Sequence, residues 1–225
     1  MTFSIAGRCA ATGMFGVAIT TSSICVGARC PHARAGIGAV ATQNITDPHL
    51  ATLVLDELEQ GQSAASAIAR VVENRPNIDY RQLTAVDRDG LTAHFTGEQI
   101  LGTHAVSAAS NCIAAGNLLV SQGVPDAMTA GFLADQDAHL AERLLRGLEA
   151  GLAAGGEEGP VHSAALLVMA ERPFPLVDLR VDWDEAGPVA RLRQLWQAYE
   201  GQMIDYLNRA INPAAAPSYG VAGDL

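Results

Sequence analysis

The residue with the clearest chemical potential is Thr2, directly after Met1. If a methionine aminopeptidase removes Met1, Thr2 becomes the first residue and carries a hydroxyl and a free α-amine side by side. A free α-amino group has a pKa of about 7.7–8.0, so a sizeable fraction is neutral near pH 7. That amine accepts the hydroxyl proton directly or through one water, which is the threonine version of a nucleophile with its own base. With Met1 attached, the Thr2 nitrogen is an amide and the base is missing. The plain alternative is a second residue with no special role, since many chains begin Met-Thr.

Other polar groups are thinner. Arg29, His32 and Arg34 form a local cationic patch around Pro31. They read either as a corner for a carboxylate or ureido group, which guanidinium pairs with bidentately, or as surface cations on a connection. Gln43 and Asn44 end a Gly-rich stretch; they could donate to an oxyanion or substrate carbonyl, or cap the next helix. Cys25 or Cys30 with His32 is a further thiol–imidazole possibility. The six histidines show no metal-ligand spacing, and Ser163 beside His162 is no dyad, because neighbours on a strand face opposite ways. No metal and no cofactor is expected.

Composition narrows the classes. The 225 residues, 49% hydrophobic and 17% charged, argue for a folded globule of one domain spanning 1–225, with no repeat or low-complexity linker. All 14 cations are Arg. Schiff-base lysines, pyridoxal-phosphate anchors and lysine-bearing phosphate loops are thereby excluded. A net charge of −10 without a basic cluster disfavours nucleic acid. The cysteines (9, 25, 30 and 112) match no zinc or redox spacing and read as small buried thiols in a reducing compartment. Met14–Ala28 imitates a signal-peptide core, but no positive region precedes it and Thr20, Thr21, Ser22 and Ser23 dilute it. No run approaches the ~20 apolar residues of a membrane span, so a cytoplasmic protein is expected.

These residues need strands to hold them. Thr2–Arg8 alternates Phe3, Ile5 and Gly7 against Ser4, Ala6 and Arg8. Ala11-Thr12-Gly13 predicts a turn and Met14–Thr21 a returning strand. Ile24–Ala28 reads as a short strand broken by Pro31, and Gly36–Thr42 as another strand. Thr46 or Asp47 caps a helix with Pro48 in its first turn, ending at Gly61, and Ser63 caps a second that ends before Pro76. Leu83–Val86 and Leu91–Phe95 predict a hairpin. Ala105–Ala115 is small and ambiguous, with another strand as one reading, Asn117–Leu133 reads as helix broken near Gly123–Pro125, and Asp137–Leu148 as an amphipathic helix. Gly151–Gly159 is a loop, Ser163–Ala170 and Leu176–Val181 are strands, and Pro188–Arg209 is a closing helix. Grouped strands with grouped helices predict an α+β layered sandwich rather than a doubly wound sheet.

Several blocks resemble one family: Met1-Thr2-Phe3-Ser4-Ile5, Phe15-Gly16-Val17-Ala18-Ile19, Ala33–Gln43, Arg81-Gln82 before Val86-Asp87, Gly116-Asn117-Leu118-Leu119, Leu140–Leu145, Ser163–Val168 and Leu179–Asp182. Together they are similar to the family called domain of unknown function 1028, grouped with the N-terminal-nucleophile (Ntn) hydrolases. The resemblance implies a four-layer αββα sandwich of largely antiparallel sheets, with the first strand ending at an active site that cleaves amide bonds. Thr2 matches the nucleophile position, and Thr21 sits where many members carry a hydroxyl. Where many members read Gly-Gly-Asp followed by Arg and Gln, this chain has Gly155-Gly156-Glu157-Glu158-Gly159-Pro160. The resulting expectation is an amidohydrolase acting on an amide or ureido bond in a small molecule. Thr2, Thr21 and Gln43 are its catalytic candidates, and Arg29, His32, Arg34 and Asn44 its substrate-binding candidates. The rival is a non-catalytic small-molecule-binding or assembly protein that retains the sandwich. A small-molecule partner and a homo-oligomer are expected; nucleic acid and membrane are not.

Overall fold

Apolar alternation at the N-terminus produces a hairpin whose two strands are both buried. The structure, a computed structural model, describes residues 1–218 and 220. Strands β1 (Thr2–Arg8) and β2 (Phe15–Thr21) pair antiparallel, with Thr2 opposite Thr21 and Arg8 opposite Phe15. Strands β3 (Pro31–Arg34) and β4 (Gly38–Asn44) follow, then helices α1 (Pro48–Glu59) and α2 (Ala64–Val72). Next come β5 (Arg81–Asp87), β6 (Thr92–Thr96), β7 (Ala105–Ala109) and β8 (Cys112–Asn117), then α3 (Val124–Leu133) and α4 (Leu140–Ala153). The described elements end with β9 (Ser163–Met169), β10 (Val177–Val181), α5 (Pro188–Glu200) and α6 (Met203–Ile211).

The strands form two antiparallel sheets, a six-stranded one ordered β10-β9-β2-β1-β8-β7 and a four-stranded one ordered β3-β4-β5-β6. Period-two alternation sorts each strand's side chains into layers. Phe3 and Ile5 join Met128, Phe132, Leu144 and Leu148 of α3 and α4. From the other face, Ala6 packs with Phe15, Val17, Ala39, Ala41, Val86 and Ile113 between the sheets. Val40, Leu83 and Ala85 then meet Leu50, Val54, Leu58 and Ile68 of α1 and α2. The result is helix, sheet, sheet, helix: the αββα order that the resemblance implies. Close packing demands small residues. A Cβ on Gly7 would lie 2.7 Å from the Phe132 ring, an overlap that only glycine avoids.

Local signals hold where capping chemistry is explicit. Asp47 accepts the His49 N–H at 3.1 Å and caps α1; Ser63 accepts the Ser66 N–H at 3.3 Å and caps α2. Three expectations change and one ambiguous stretch resolves. Ile24–Ala28 is no strand: Val26–Ala28 forms a single 3-10 turn, and Pro31 begins β3 instead of breaking a strand. Pro31 is tolerated there because β3 is an edge, where a missing N–H disrupts no ladder. Ala105–Ala115 resolves into most of a hairpin, β7 and β8, turning at Asn111 with φ 61°. The helix expected from Asn117 starts only at Val124, because Asn117 completes β8 opposite Thr2. The closing helix divides at Gly201 into α5 and α6. Among the described residues no helix is long and apolar enough to cross a membrane.

One cap carries a pH dependence. His139 Nδ1 accepts the Ala141 N–H at 3.2 Å and caps α4, while its ring stacks on Trp196 at 5.4 Å. Burial holds its imidazole pKa below the ordinary value, with Glu200 opposing. A group that must stay neutral stabilises fully above its unfolded pKa and loses that contribution as pH falls. Ser at this position accepts at every pH. The wild type is therefore expected to lose roughly 1 kcal/mol more than His139→Ser between about pH 7.5 and pH 5, measured by denaturant unfolding.

Candidate functional site

The layer between the sheets is apolar at one end and polar at the other. Thr2 and Ser4 share the Ala6 face of β1; on the facing strands Gln43 follows Ala39 and Ala41, and Gln82 shares the Val86 face. Asn117 of β8 lies opposite Thr2 in register. Thr2, Ser4, Thr21, Gln43, Gln82 and Asn117 are all buried. Buried polar groups require partners, and most of these find one another; Asn117 Nδ2 reaches Gln82 Oε1 at 3.5 Å, while its Oδ1 closes no bond. Ser4 Oγ donates to Gln43 Oε1 at 2.7 Å, and Gln43 Nε2 donates to Gln82 Oε1 at 2.7 Å. Gln82 Nε2 in turn lies 3.4 Å from the Gly116 carbonyl, which returns the chain of bonds to the first sheet. Gln43 thus rivets β1 to β5.

At the head of β1 the Thr2 and Thr21 hydroxyl oxygens lie 3.0 Å apart. Both also donate to the Met1 carbonyl oxygen, Thr2 at 2.5 Å. A carbonyl seated on two convergent hydroxyls is the geometry that polarises an acyl group. Thr2 and Thr21 therefore meet directly, and Gln43 joins their layer through Ser4.

The loop after α4 closes over this end. Val120 N–H donates to the Gly156 carbonyl at 3.1 Å, and Glu158 N–H to the Leu118 carbonyl at 2.9 Å. The Met1 side chain lies over Gly159, where an added Cβ would stand 3.2 Å from Met1 Cε. Between these contacts Glu157 is only 5% exposed, and neither of its carboxylate oxygens closes a hydrogen bond. Burial pushes its carboxyl up to about 7; the Met1 α-ammonium, then the Ser22 amide and hydroxyl, pull it the other way.

The remaining candidates hold other partners. Arg29 donates to the Ile24 and Cys25 carbonyls and, at 2.9 Å, to Ser23 Oγ, tying down the turn after β2. Arg34 pairs with Asp56 at 2.9 Å and with Glu59, on the α1 side. His32 Nδ1 lies 3.3 Å from the Cys30 carbonyl, and burial lowers its pKa. Asn44, at φ 73°, donates to the Tyr80 carbonyl at 2.8 Å and accepts the Leu101 N–H at 3.3 Å. Cys30 is buried with its thiol pushed up by desolvation, and Cys25 takes a left-handed turn position. Arg29, His32 and Arg34 do not join the Thr2–Thr21 pair. Among the described residues no three His, Cys, Asp or Glu converge as metal ligands would. The 570 Å³ cleft beside Thr12, Phe174 and Ile204 adjoins the β1–β2 turn, roughly 20 Å along the strand from Thr2.

Sequence reasoning missed Ser4, Gln82, Asn117 and Glu157. Three had a usable signal: Ser4 shares the Thr2 face, Gln82 shares a face of β5 with Val86, and Asn117 ends a strand that is otherwise apolar and small. Glu157 had only its place beside two glycines.

The Glu157 carboxyl yields a signed prediction. Its folded pKa lies above the unfolded value of about 4.3, so its stabilising balance holds at low pH and is lost as pH rises through about 7. Glu157→Gln removes the charged form. The variant is expected to gain on the order of 1–3 kcal/mol over wild type at about pH 8, shrinking toward zero near pH 4.5, in denaturant titrations.

A relative of known structure shares this fold, and a family model covers most of the chain. A family model described as a family of unknown function, DUF1028, matches residues 2–192. The crystal structure of protein SPO2555 from Silicibacter pomeroyi, of the same family, is 33% identical and covers 91% of this chain and 92% of its own, with a TM-score of 0.83. Anbu, the ancestral beta-subunit from Yersinia bercovieri, is 10% identical over 97% of this chain and 100% of its own, at a TM-score of 0.43. The Anbu (Gly-1) mutant from Hyphomicrobium sp. strain MC1 is 14% identical over 98% and 100%, at 0.44. No curated protein matches the chain. Over nearly its whole folded length, the chain belongs to the DUF1028 family of unknown function.

Proposed function

We propose that the protein is an Ntn-type amidohydrolase that cleaves an amide or ureido bond in a small molecule, with Thr2 as its nucleophile once Met1 is removed. The observation that carries this reading is the meeting of the Thr2 and Thr21 hydroxyls on the Met1 carbonyl oxygen at the head of a buried strand. Hydrolysis of the Met1–Thr2 bond turns an inert amide nitrogen into an amine with a lone pair near neutral pH. That amine takes the hydroxyl proton as Oγ attacks the substrate carbonyl carbon. The developing oxyanion accepts from the Thr21 hydroxyl, the donor that Met1 O now engages. The proton passes to the leaving nitrogen, and water releases the acyl group from the ester. Gln43 holds β1 in place through Ser4. Asn44, next to Gln43, is assigned to a substrate carbonyl, for which it would exchange the Tyr80 carbonyl; Arg29, His32 and Arg34 stand away from the pair on partners of their own and are given no part in the step.

The second reading is a binding or assembly protein. It is favoured by the same carbonyl: while Met1 is present, both hydroxyls are occupied and no base exists. A cytoplasmic, self-associating protein is part of either reading, with exposed Ile204, Tyr206 and Ile211 of α6 available for contact.

Intact-mass measurement of protein from its native host separates the two. The enzyme reading expects a mass lacking Met1, and quantitative retention sinks it. On a substrate found by screening small amides and ureides, Thr2→Ala is expected to abolish turnover. Thr21→Val is expected to lower kcat by about 10²-fold, as loss of one oxyanion donor does.

A further inference from the structure

We infer that the acyl part of the substrate carries a free amino group, read by Glu157, so that the substrate class is α-aminoacyl amides. The inference rests on Thr2 acting as the nucleophile. Attack by Thr2 Oγ leaves an ester that is the nitrogen-to-oxygen isomer of a residue bonded to the Thr2 amine. The acyl carbon differs in position by about one covalent bond, so Met1 marks the slot that an acyl group fills. In that slot the carbonyl oxygen meets the Thr2 and Thr21 hydroxyls, and the side chain lies over Gly159. The loop that carries Glu157 reaches Met1 at Gly159, and the Met1 α-ammonium draws the buried Glu157 carboxyl down.

Glu157 needs such a group. It is buried, its oxygens close no hydrogen bond although the Ser22 amide and hydroxyl act on it, and the Met1 ammonium is the cation that acts on it. Removing Met1 takes that ammonium away, and the new Thr2 amine must be neutral to act as the base, so desolvation holds the Glu157 carboxyl neutral until a cation arrives to restore the ionised pair. A substrate ammonium restores the pair, whereas an N-acylated substrate presents a neutral amide. In the reaction, the Oγ–C bond forms as the substrate C–N bond breaks. The hydroxyl proton passes through the Thr2 amine to the leaving nitrogen; water then splits the ester, freeing the amino acid and reprotonating Oγ.

The test uses protein whose mass shows that it begins at Thr2. Ammonia release from L-methioninamide is compared with release from N-acetyl-L-methioninamide, and calorimetric binding of L-methionine with that of N-acetyl-L-methionine. The expected result is a preference of about tenfold or more for the free amine in kcat/KM and in affinity, collapsing toward unity in Glu157→Gln. Glu157→Asp keeps the charge and is expected to retain part of the preference. Equal or better use of the N-acetyl compounds overturns the inference, as does a preference unchanged in Glu157→Gln. If neither amide is hydrolysed, binding decides: a Glu157-dependent preference for L-methionine keeps the slot while the nucleophile reading falls. Absence of that preference overturns the inference.

Discussion

Between two packed sheets a polar side chain is cut off from water and must be answered by the opposite sheet. The Ser4–Gln43–Gln82 relay is that answer. A neutral hydrogen bond contributes only about 1 kcal/mol net, but leaving a buried partner unmade costs about 1–3 kcal/mol. The relay therefore acts more by penalising other alignments than by adding stability. If β4 slipped by one residue against β5, Gln43 would turn toward the apolar α1–α2 layer, and Ala39 and Ala41 would leave the inter-sheet core. With the register held, β1 has only one alignment between β2 and β8, and its first residue comes to rest beside Thr21 and Asn117.

That placement determines which proton chemistry is available. Hydroxyls, amides and a carbonyl surround Thr2, and none of them is a base near neutral pH. His162 is near in the chain of bonds, since its N–H donates to the Thr21 carbonyl at 2.8 Å. Its ring, however, stacks on Trp183 at 4.4 Å, and Nδ1 meets the Ser22 carbonyl. The freed amine is the group that fits the role. Glu157 places a carboxyl at the same end of the sheet, buried with both oxygens outside any closed hydrogen bond; Asn117 Oδ1 and Thr84 Oγ1 are the other unanswered atoms of the layer among the described residues.

The fold was legible where its residues obey short-range rules. Thr2–Arg8 declared its two faces by alternation, and Asp47-Pro48 and Ser63 declared helix starts by capping chemistry. It was illegible where tertiary packing overrode local preference. Asn117-Leu118-Leu119-Val120 looks helical, yet Asn117 ends a strand against Thr2 and Leu118 takes φ 50°. Pro31 reads as a breaker and becomes a tolerated edge residue. For the candidate site, Thr2 drew notice because its hydroxyl would stand beside an α-amine once Met1 is removed, and Gln43 because a polar side chain stands near the end of a largely apolar strand. Glu157 was not: its chemistry comes from desolvation and from facing the chain terminus, over 150 positions away in sequence. Arg29 and Arg34 drew notice as scarce cations, but their charges are spent on a turn and on α1.

The most direct trial of Thr2 as a nucleophile is covalent capture by a β-lactone, whose strained ring an activated hydroxyl opens. Intact mass and peptide mapping would be recorded on fractions with and without Met1. The account predicts one adduct, confined to the peptide beginning at Thr2 and missing from the fraction that keeps Met1. A Met1-free fraction that stays unlabelled, or equal labelling of both fractions, would contradict it.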